Sequence, residues 1–237
     1  MIIKKVNNWK TVTVSKTKGS AYNVLLDNKY LLSELGNIIE LPKRLAVSVA
    51  KEWRRNQDVE KIKKEFYTKF CLSVFDHTSP SRLKVLQTIL EYADCDLVCY
   101  LAENPIELVE RQKKLFARYI DWADEFLEIK LRIGTGIKHV KQNRRNEAKI
   151  KRYLEKLNNF ELTIVYELTS LTGSFFIAAA FFIGVVKAKD AWNASVIEDT
   201  YRIERWSEVE EEVVVSKNKK EYFFSFVKLM DKLDRDT

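Results

Sequence analysis

The chain has 237 residues, 46% of them hydrophobic and 12% aromatic, which is enough apolar material for one large domain or two small ones. Its net charge of +7 comes from 41 basic and 34 acidic residues that are spread along the chain. Glycine (6) and proline (3) are scarce, which disfavours a turn-rich fold and favours helices joined by short polar loops.

Residues 1–41 have the pattern of short strands. Val12 and Val14 alternate with threonine and serine, and residues 25–32 have the pattern strand, turn, strand with Asp27 and Asn28 at the turn. A second turn at residues 36–37 precedes an apolar run that ends at residue 41. The pattern predicts a small antiparallel sheet that needs a covering helix to be stable.

A helix that begins at Pro42 is predicted to supply this cover. Proline suits a first helical turn because its missing N–H has no partner there. Leu45, Val49 and Trp53 recur at four-residue spacing and form an apolar stripe that should lie on the sheet. We therefore predict an N-terminal β-rich domain over residues 1–65.

From residue 66 onward the apolar period is helical, which predicts a larger C-terminal helical domain over 66–237. The fold class is thus α+β, a small antiparallel β domain followed by an orthogonal helical bundle. Leu83 and Phe126 are expected on the apolar stripes of their helices. The predicted helices cover residues 81–92, 106–127, 143–157, a long segment from 160, 188–206, and the tail from 207.

Residues 168–186 contain no charge and have the length of a membrane span. Thr169, Ser170 and Thr172 make its start polar, so the strongly apolar part runs only from Phe175 to Val186. A stretch of that length is more typical of a buried helix. The segment is predicted to be the central helix of a bundle, with Gly173, Ser174 and three alanines allowing close approach of its neighbours.

Groups suited to catalysis or metal binding are few. His77 and His139 are far apart in sequence, and no nucleophile elbow, phosphate-binding glycine loop or HExxH motif occurs. Cys95 and Cys99 with His77 form a possible metal set, but buried free thiols fit their spacing better. Asp94 with Asp96, or Glu198 with Asp199, are possible acid–base pairs whose close spacing points the side chains apart.

The densest basic run lies between Lys138 and Arg152. A solvated loop and helix start is the preferred interpretation, and a nucleic-acid- or ribosome-binding patch is the alternative. An acidic protein partner is a third possibility. A steep dependence of RNA affinity on salt would favour the nucleic-acid hypothesis.

Four strings in a fixed order resemble the assembly chaperones that bind the alpha subunit of the F-type ATP synthase. The first runs from the LLDNKYLL turn, with Asp27, to the helix that ends in Glu52-Trp53. The second is DLVCY at residues 96–100, followed by Gln112 and Asp121-Trp122. The third is the Gly173-Ser174 pair, and the fourth is the acidic and aromatic run from 197 to 206.

The resemblance implies a chaperone without catalysis, metal or cofactor, whose client is the alpha subunit. It implies no nucleic-acid partner and no stable membrane insertion, and we expect a monomer in the bacterial cytoplasm, or in the mitochondrial matrix if the chain is a trimmed mature form. A mix of acidic, aromatic and arginine side chains is typical of interface anchors, so the expected contact residues are Glu198, Asp199, Tyr201, Arg202 and Trp206. The motif residues expected to be structural are Asp27, Trp53, Asp96, Tyr100, Gln112, Trp122, Gly173 and Ser174.

Overall fold

The computed structural model describes the backbone of residues 8–206 and 210–233, and the side chains of 8–206 and 216–233. The chain forms two compact units, one of residues up to 82 together with those from 224 onward, and one of residues 83–223. The predicted α+β class is confirmed, because a three-stranded antiparallel sheet precedes a run of helices. The first unit thus extends past residue 65 and includes part of the tail.

Three strands build the sheet of the first unit: β1 (Val12–Lys16), β2 (Tyr22–Leu26) and β3 (Lys29–Tyr30). They are antiparallel in the order β1-β2-β3. The turn between β2 and β3 is made by Asp27 and Asn28, with φ of 46° and 65°. Both residues tolerate this left-handed backbone because their side chains are short and polar.

Helix α1 (Lys43–Arg55) follows Pro42 and packs on β1 and β2. Leu45, Val49 and Trp53 are at most 1% exposed. The predicted stripe and its covering role are therefore confirmed.

The first unit continues through α2 (Val59–Ile62), α3 (Phe66–Leu72) and a π-helical segment over Ser73–Thr78. Phe66 and Phe70 of α3 meet the ring of Phe226 edge-on, at centroid distances of 5.2 and 6.4 Å. Phe226 therefore completes the core of this unit, which is why the residues after 223 belong to it.

The second unit is helical, with one short pair of parallel strands, β4 (Tyr100–Leu101) and β5 (Gly134–Thr135). A 3₁₀ turn over Leu97–Cys99 leads into β4. Its helices are α4 (Arg82–Asp94), α5 (Ile106–Leu127), α6 (Arg144–Glu155), α7 (Asn159–Thr172), α8 (Phe175–Phe182), α9 (Ala188–Ser195), α10 (Ile197–Trp206) and the first part of α11 (Glu210–Met230). The tail is thus helical as predicted, but the acidic side chains at 208 and 210–212 lie outside the described residues.

The apolar segment is two helices, where one long helix was predicted. Gly173 ends α7 with φ of +68°, and the Ser174 hydroxyl accepts a hydrogen bond from the Ile177 N–H at 3.0 Å to begin α8. Every side chain of α8 is buried, in agreement with the predicted core position. Among the described residues, none of the helices has the length and apolar composition that crossing a membrane requires.

Three other sequence expectations were wrong in detail. Gly173 is not required for close packing, because a Cβ there would meet nothing within 4 Å, and its left-handed backbone is the reason for glycine. Leu83 is 78% exposed and Phe126 is 56% exposed, so neither lies in the core. The helix predicted over 188–206 breaks at Val196 and becomes α9 and α10.

Candidate functional site

Helix α10, which carries all five expected contact residues, packs against α5. Ile197 and Tyr201 are four residues apart and are buried, so they form the stripe that faces the second unit's core. Glu198, Asp199, Arg202 and Trp206 are exposed. The two acidic residues lie in the first helical turn, where negative charge stabilises the helix N-terminus.

Glu198 is held by a completely buried glutamine. The Nε2 of Gln112 donates to the Oε1 of Glu198 at 2.8 Å. The other end of the same amide, Oε1, accepts a hydrogen bond from the backbone N–H of Ala102 at 2.7 Å. Because both ends of Gln112 are satisfied, its orientation is fixed, and the Glu198 carboxylate is positioned while it remains at the surface.

Tyr201 is the centre of a second set of contacts between α10 and α5. Its hydroxyl donates to the Oε2 of Glu107 at 3.0 Å, and Arg205 pairs with the same carboxylate. The guanidinium groups of Arg111 and Arg205 each lie 5.3 Å from the Tyr201 ring centroid. Burial, then the bond to Glu107, raises the pKa of the Tyr201 phenol, which therefore remains a hydrogen-bond donor at neutral pH.

Arg111 also pairs with Glu204 at 2.6 Å, so charged groups surround Tyr201 on both helices. Exposed pairs of this kind contribute little stability each, but several together fix the rotation of α10 on α5. Tyr201 therefore fixes the orientation of α10, and the expected contact residues that stay exposed are Glu198, Asp199, Arg202 and Trp206. We call these four residues the α10 face.

Trp206 is the aromatic residue of that face and is 72% exposed. Asp199 and Arg202 pair within the helix at 3.3 Å, and both are more than half exposed. A large apolar ring beside fixed charges on a rigid helix is the combination found in interface anchors.

The other motif residues of the second unit support its packing. Asp96 is fully buried and accepts hydrogen bonds from the N–H groups of Val98 (3.1 Å) and Phe176 (3.3 Å), with a further bond to the Ser174 side chain. Burial raises the pKa of Asp96 to about 7. Asp96 and Ser174 thus meet at the N-terminus of α8, although they are far apart in sequence, which explains why the second and third strings occur in one motif set.

Tyr100 and Trp122 make their contacts away from the α10 face. The Tyr100 hydroxyl accepts a hydrogen bond from the Val140 N–H at 3.3 Å and lies 3.4 Å from the Nδ1 of His139. The Trp122 ring stacks on the exposed ring of Phe126 with a centroid distance of 5.6 Å. Neither residue touches the α10 residues through a described hydrogen bond or ring contact.

Two motif residues belong to the first unit. Asp27 accepts hydrogen bonds from the backbone N–H groups of Lys10 and Thr11, chiefly the latter, and these lower the pKa of its carboxyl. Trp53 is fully buried beside Trp9, whose Nε1 donates to the Trp53 carbonyl oxygen at 3.1 Å. Trp53 is therefore a core residue of the first unit.

The thiols follow the sequence prediction only in part. Cys71 and Cys99 are buried, and burial raises the pKa of both. Cys95 is exposed, so the prediction of a buried thiol was wrong there. Cys95 follows the end of α4 while Cys99 lies in the 3₁₀ turn, so the two do not share a helix face, and the histidine near Cys95 is His139 rather than His77.

Glu107, Arg111, Glu204 and Arg205 were missed as site residues. Glu107 and Arg111 are four residues apart, and Glu204 and Arg205 lie three and four residues after Tyr201, so helical spacing is the local signal they carry. Their importance comes from the pairing of α10 with α5, nearly 100 residues apart in sequence, and spacing within one helix does not reveal that pairing.

Comparisons with known proteins agree on one family. The model of the ATP12 chaperone family matches residues 7–124. The crystal structure of Atp12 from Paracoccus denitrificans is 28% identical, with 92% of this chain and 93% of that chain aligned at a TM-score of 0.83. A variant of the same protein with an aspartate replaced by lysine gives the same values.

A candidate chaperone from Agrobacterium tumefaciens has the same fold, with a TM-score of 0.82, 24% identity, and 94% of this chain and 84% of that chain aligned.

Proposed function

The chain belongs to the ATP12 chaperone family, and we propose that it binds the unassembled alpha subunit of the F-type ATP synthase head. Family membership makes it an ATP synthase assembly chaperone. The choice of the alpha subunit as client, and of the α10 face as the contact, is the proposal. The observation that carries it is the exposed Glu198 carboxylate, which the buried Gln112 positions from below.

An alpha subunit needs protection because its apolar contact surface stays open until a beta subunit covers it. A holder that binds this surface and loses it to a better-binding beta subunit needs no ATP and no catalytic step. The proposal therefore assigns no reaction to the chain. It accounts for the exposed Trp206 ring and the fixed charges beside it as groups that a client would cover.

Glu198→Gln is expected to weaken binding of purified alpha subunit by about 30-fold or more, since loss of a buried interfacial charge costs about 2–5 kcal/mol. The glutamine keeps an oxygen that can accept the hydrogen bond from Gln112, so the melting temperature should not change. The measurement is the Kd of the complex, read together with thermal unfolding of the free chaperone. Glu60→Gln is the matched control, because Glu60 is an exposed glutamate of the other unit.

Charge reversal alone does not separate binding from folding at this position. Glu198→Lys removes the acceptor of a buried amide and places a cation beside it, at a cost of about 1–3 kcal/mol in stability. Trp206→Ala is a cleaner second variant because the ring is mostly exposed. Unchanged affinity in both Glu198→Gln and Trp206→Ala would rule out the α10 face as the docking surface.

A further inference from the structure

Three metal-ligating side chains meet in the second unit, away from the α10 face. They are Asp94 at the end of α4, Cys95 immediately after it, and His139 in the loop before α6. One ligand atom from each lies within 4.8 Å of the other two, and all three residues are exposed. Among the described residues, these three form the one group of three or more His, Cys, Asp or Glu side chains that lie close enough to bind a single metal ion.

The local fold holds the histidine against the end of α4. Parallel pairing of β4 with β5 places Gly134 and Thr135 beside Tyr100 and Leu101, directly after the 3₁₀ turn that follows Cys95. The hydroxyl of Tyr100 then accepts the Val140 N–H at 3.3 Å, one residue after His139. The His139 ring is therefore positioned by backbone pairing and by a tyrosine, and its approach to Cys95 follows from that geometry.

The distances fit a tetrahedral zinc-type centre. The Sγ of Cys95 lies 3.6 Å from the Nδ1 of His139. Zn–S and Zn–N bonds of about 2.3 and 2.0 Å at a tetrahedral angle put sulfur and nitrogen about 3.5 Å apart. The Asp94 carboxylate is the third group, with an oxygen within 4.8 Å of the other two ligand atoms. Its 3.9 Å approach to the ring is to Nε2, so this exposed side chain must rotate to join the sulfur and Nδ1 on one ion.

The surroundings leave room for a fourth ligand. Asp94, Cys95 and His139 line an open pocket of about 660 Å³. Two acidic and two basic residues, Glu91, Glu147, Lys141 and Arg144, also line it, so the wall is of mixed charge. A water molecule can therefore complete a centre that has three protein ligands.

We propose that Asp94, Cys95 and His139 bind one divalent transition-metal ion of the zinc type. One thiolate, one imidazole and one carboxylate are a borderline-soft set, which selects zinc or cobalt over magnesium and calcium. The bound ion joins the end of α4 to the loop that precedes the basic helix α6. Binding at this centre is independent of the chaperone's client and of the α10 face.

The test uses the full-length chain, reduced and stripped of metal with a chelator, and titrated with Co²⁺ under anaerobic conditions. The expected result is a thiolate-to-cobalt charge-transfer band that saturates at one equivalent and disappears when Zn²⁺ is added. Cys95→Ser should abolish the band. His139→Gln and Asp94→Asn should each weaken Co²⁺ binding by about 10-fold or more. Changing a residue that only hydrogen-bonds to a metal ligand already lowers metal affinity by about this factor, and these two are ligands themselves.

His77→Gln is the matched control, because His77 is an exposed histidine of the other unit, and it should leave the titration unchanged. Cys95 is exposed, so Cys95→Ser should fold as the parent does, and circular dichroism checks this. Absence of the charge-transfer band in the parent chain would overturn the proposal. So would a band that persists in Cys95→Ser, since the thiolate would then belong to Cys71 or Cys99.

Discussion

Asp96→Ala is expected to lower the free energy of unfolding by about 3–5 kcal/mol. The carboxylate is fully buried and accepts the backbone N–H groups of Val98 and Phe176, and the Ser174 hydroxyl also bonds to it. Removing it leaves these donors without an acceptor in the core, and each buried unsatisfied group costs about 1–3 kcal/mol. Urea denaturation at about pH 4, where the folded carboxyl is protonated and its contribution is fully present, measures the loss. A loss below 1 kcal/mol would show that water replaces the carboxylate.

The same residue should make stability depend on pH in an uncommon direction. Burial raises the pKa of Asp96 from 3.8 to about 7 in the folded chain. Between these values the folded state binds more protons than the unfolded state, so the contribution of Asp96 is fully present below pH 4 and is lost as pH rises toward 7. The greatest loss is on the order of 4 kcal/mol, from 1.36 kcal/mol per pKa unit.

Asp96→Asn isolates this effect because an amide of the same shape does not titrate. The difference in unfolding free energy between the parent and Asp96→Asn should fall as pH rises from 4 to 7. Burial, then the nearby Asp96 carboxylate, raises the pKa of Cys99, which therefore stays a neutral thiol over this range. A difference that stays constant with pH would mean that the carboxyl is already ionised in the folded chain at pH 4.

Glu52→Ala is expected to lower the free energy of unfolding of the first unit by about 3 kcal/mol. Glu52 on α1 is 3% exposed and accepts the N–H groups of Tyr67 and Thr68 at 2.9 and 2.7 Å. The Thr68 hydroxyl adds a third hydrogen bond at 2.8 Å. The carboxylate therefore satisfies the free donors at the start of α3, and an alanine would leave them buried without partners.

Lys51→Ala is the control for Glu52→Ala, because it makes the same replacement one residue earlier on an exposed side chain. It should change stability by no more than about 0.5 kcal/mol. Equal effects of the two substitutions would show that Glu52 acts through helix propensity alone, not through the hydrogen bonds to α3.

Local sequence signals predicted those elements whose cause is local. The Asp27-Asn28 turn and the stripe of α1 depend on backbone preference and periodicity within a few residues, and both are found as expected. The whole of α5 was predicted for the same reason, with Pro105 before its first residue.

The sequence failed where a local signal competes with a distant partner. The chain from residue 160 is apolar enough to predict one long helix, but Gly173 and the Ser174 cap end it in the middle, and Asp96 from another element stabilises that break. Glu52 was noted only as part of a motif, because its partners on α3 lie 15 residues away. Long-range hydrogen bonds of this kind leave no periodic pattern.

The expected contact residues fall into two groups, one buried and one exposed, which composition does not distinguish. Composition alone marked Tyr201 as an anchor, but its ring is buried and orients α10 on α5 through Glu107. Glu198 and Trp206 are exposed and remain the contact residues of the proposal. If α5 had been known as the partner helix, the four-residue spacing of Ile197 and Tyr201 would have placed Tyr201 on the buried side of α10.

Exchange of the alpha subunit between this chain and the beta subunit tests the central claim most directly. Purified alpha subunit is mixed with the chain, and light scattering and size-exclusion chromatography follow aggregation and complex formation before and after beta subunit is added. We expect the chain to suppress aggregation in a complex with alpha subunit and to be released when beta subunit binds. Aggregation of alpha subunit that is equal with and without the chain would contradict the account.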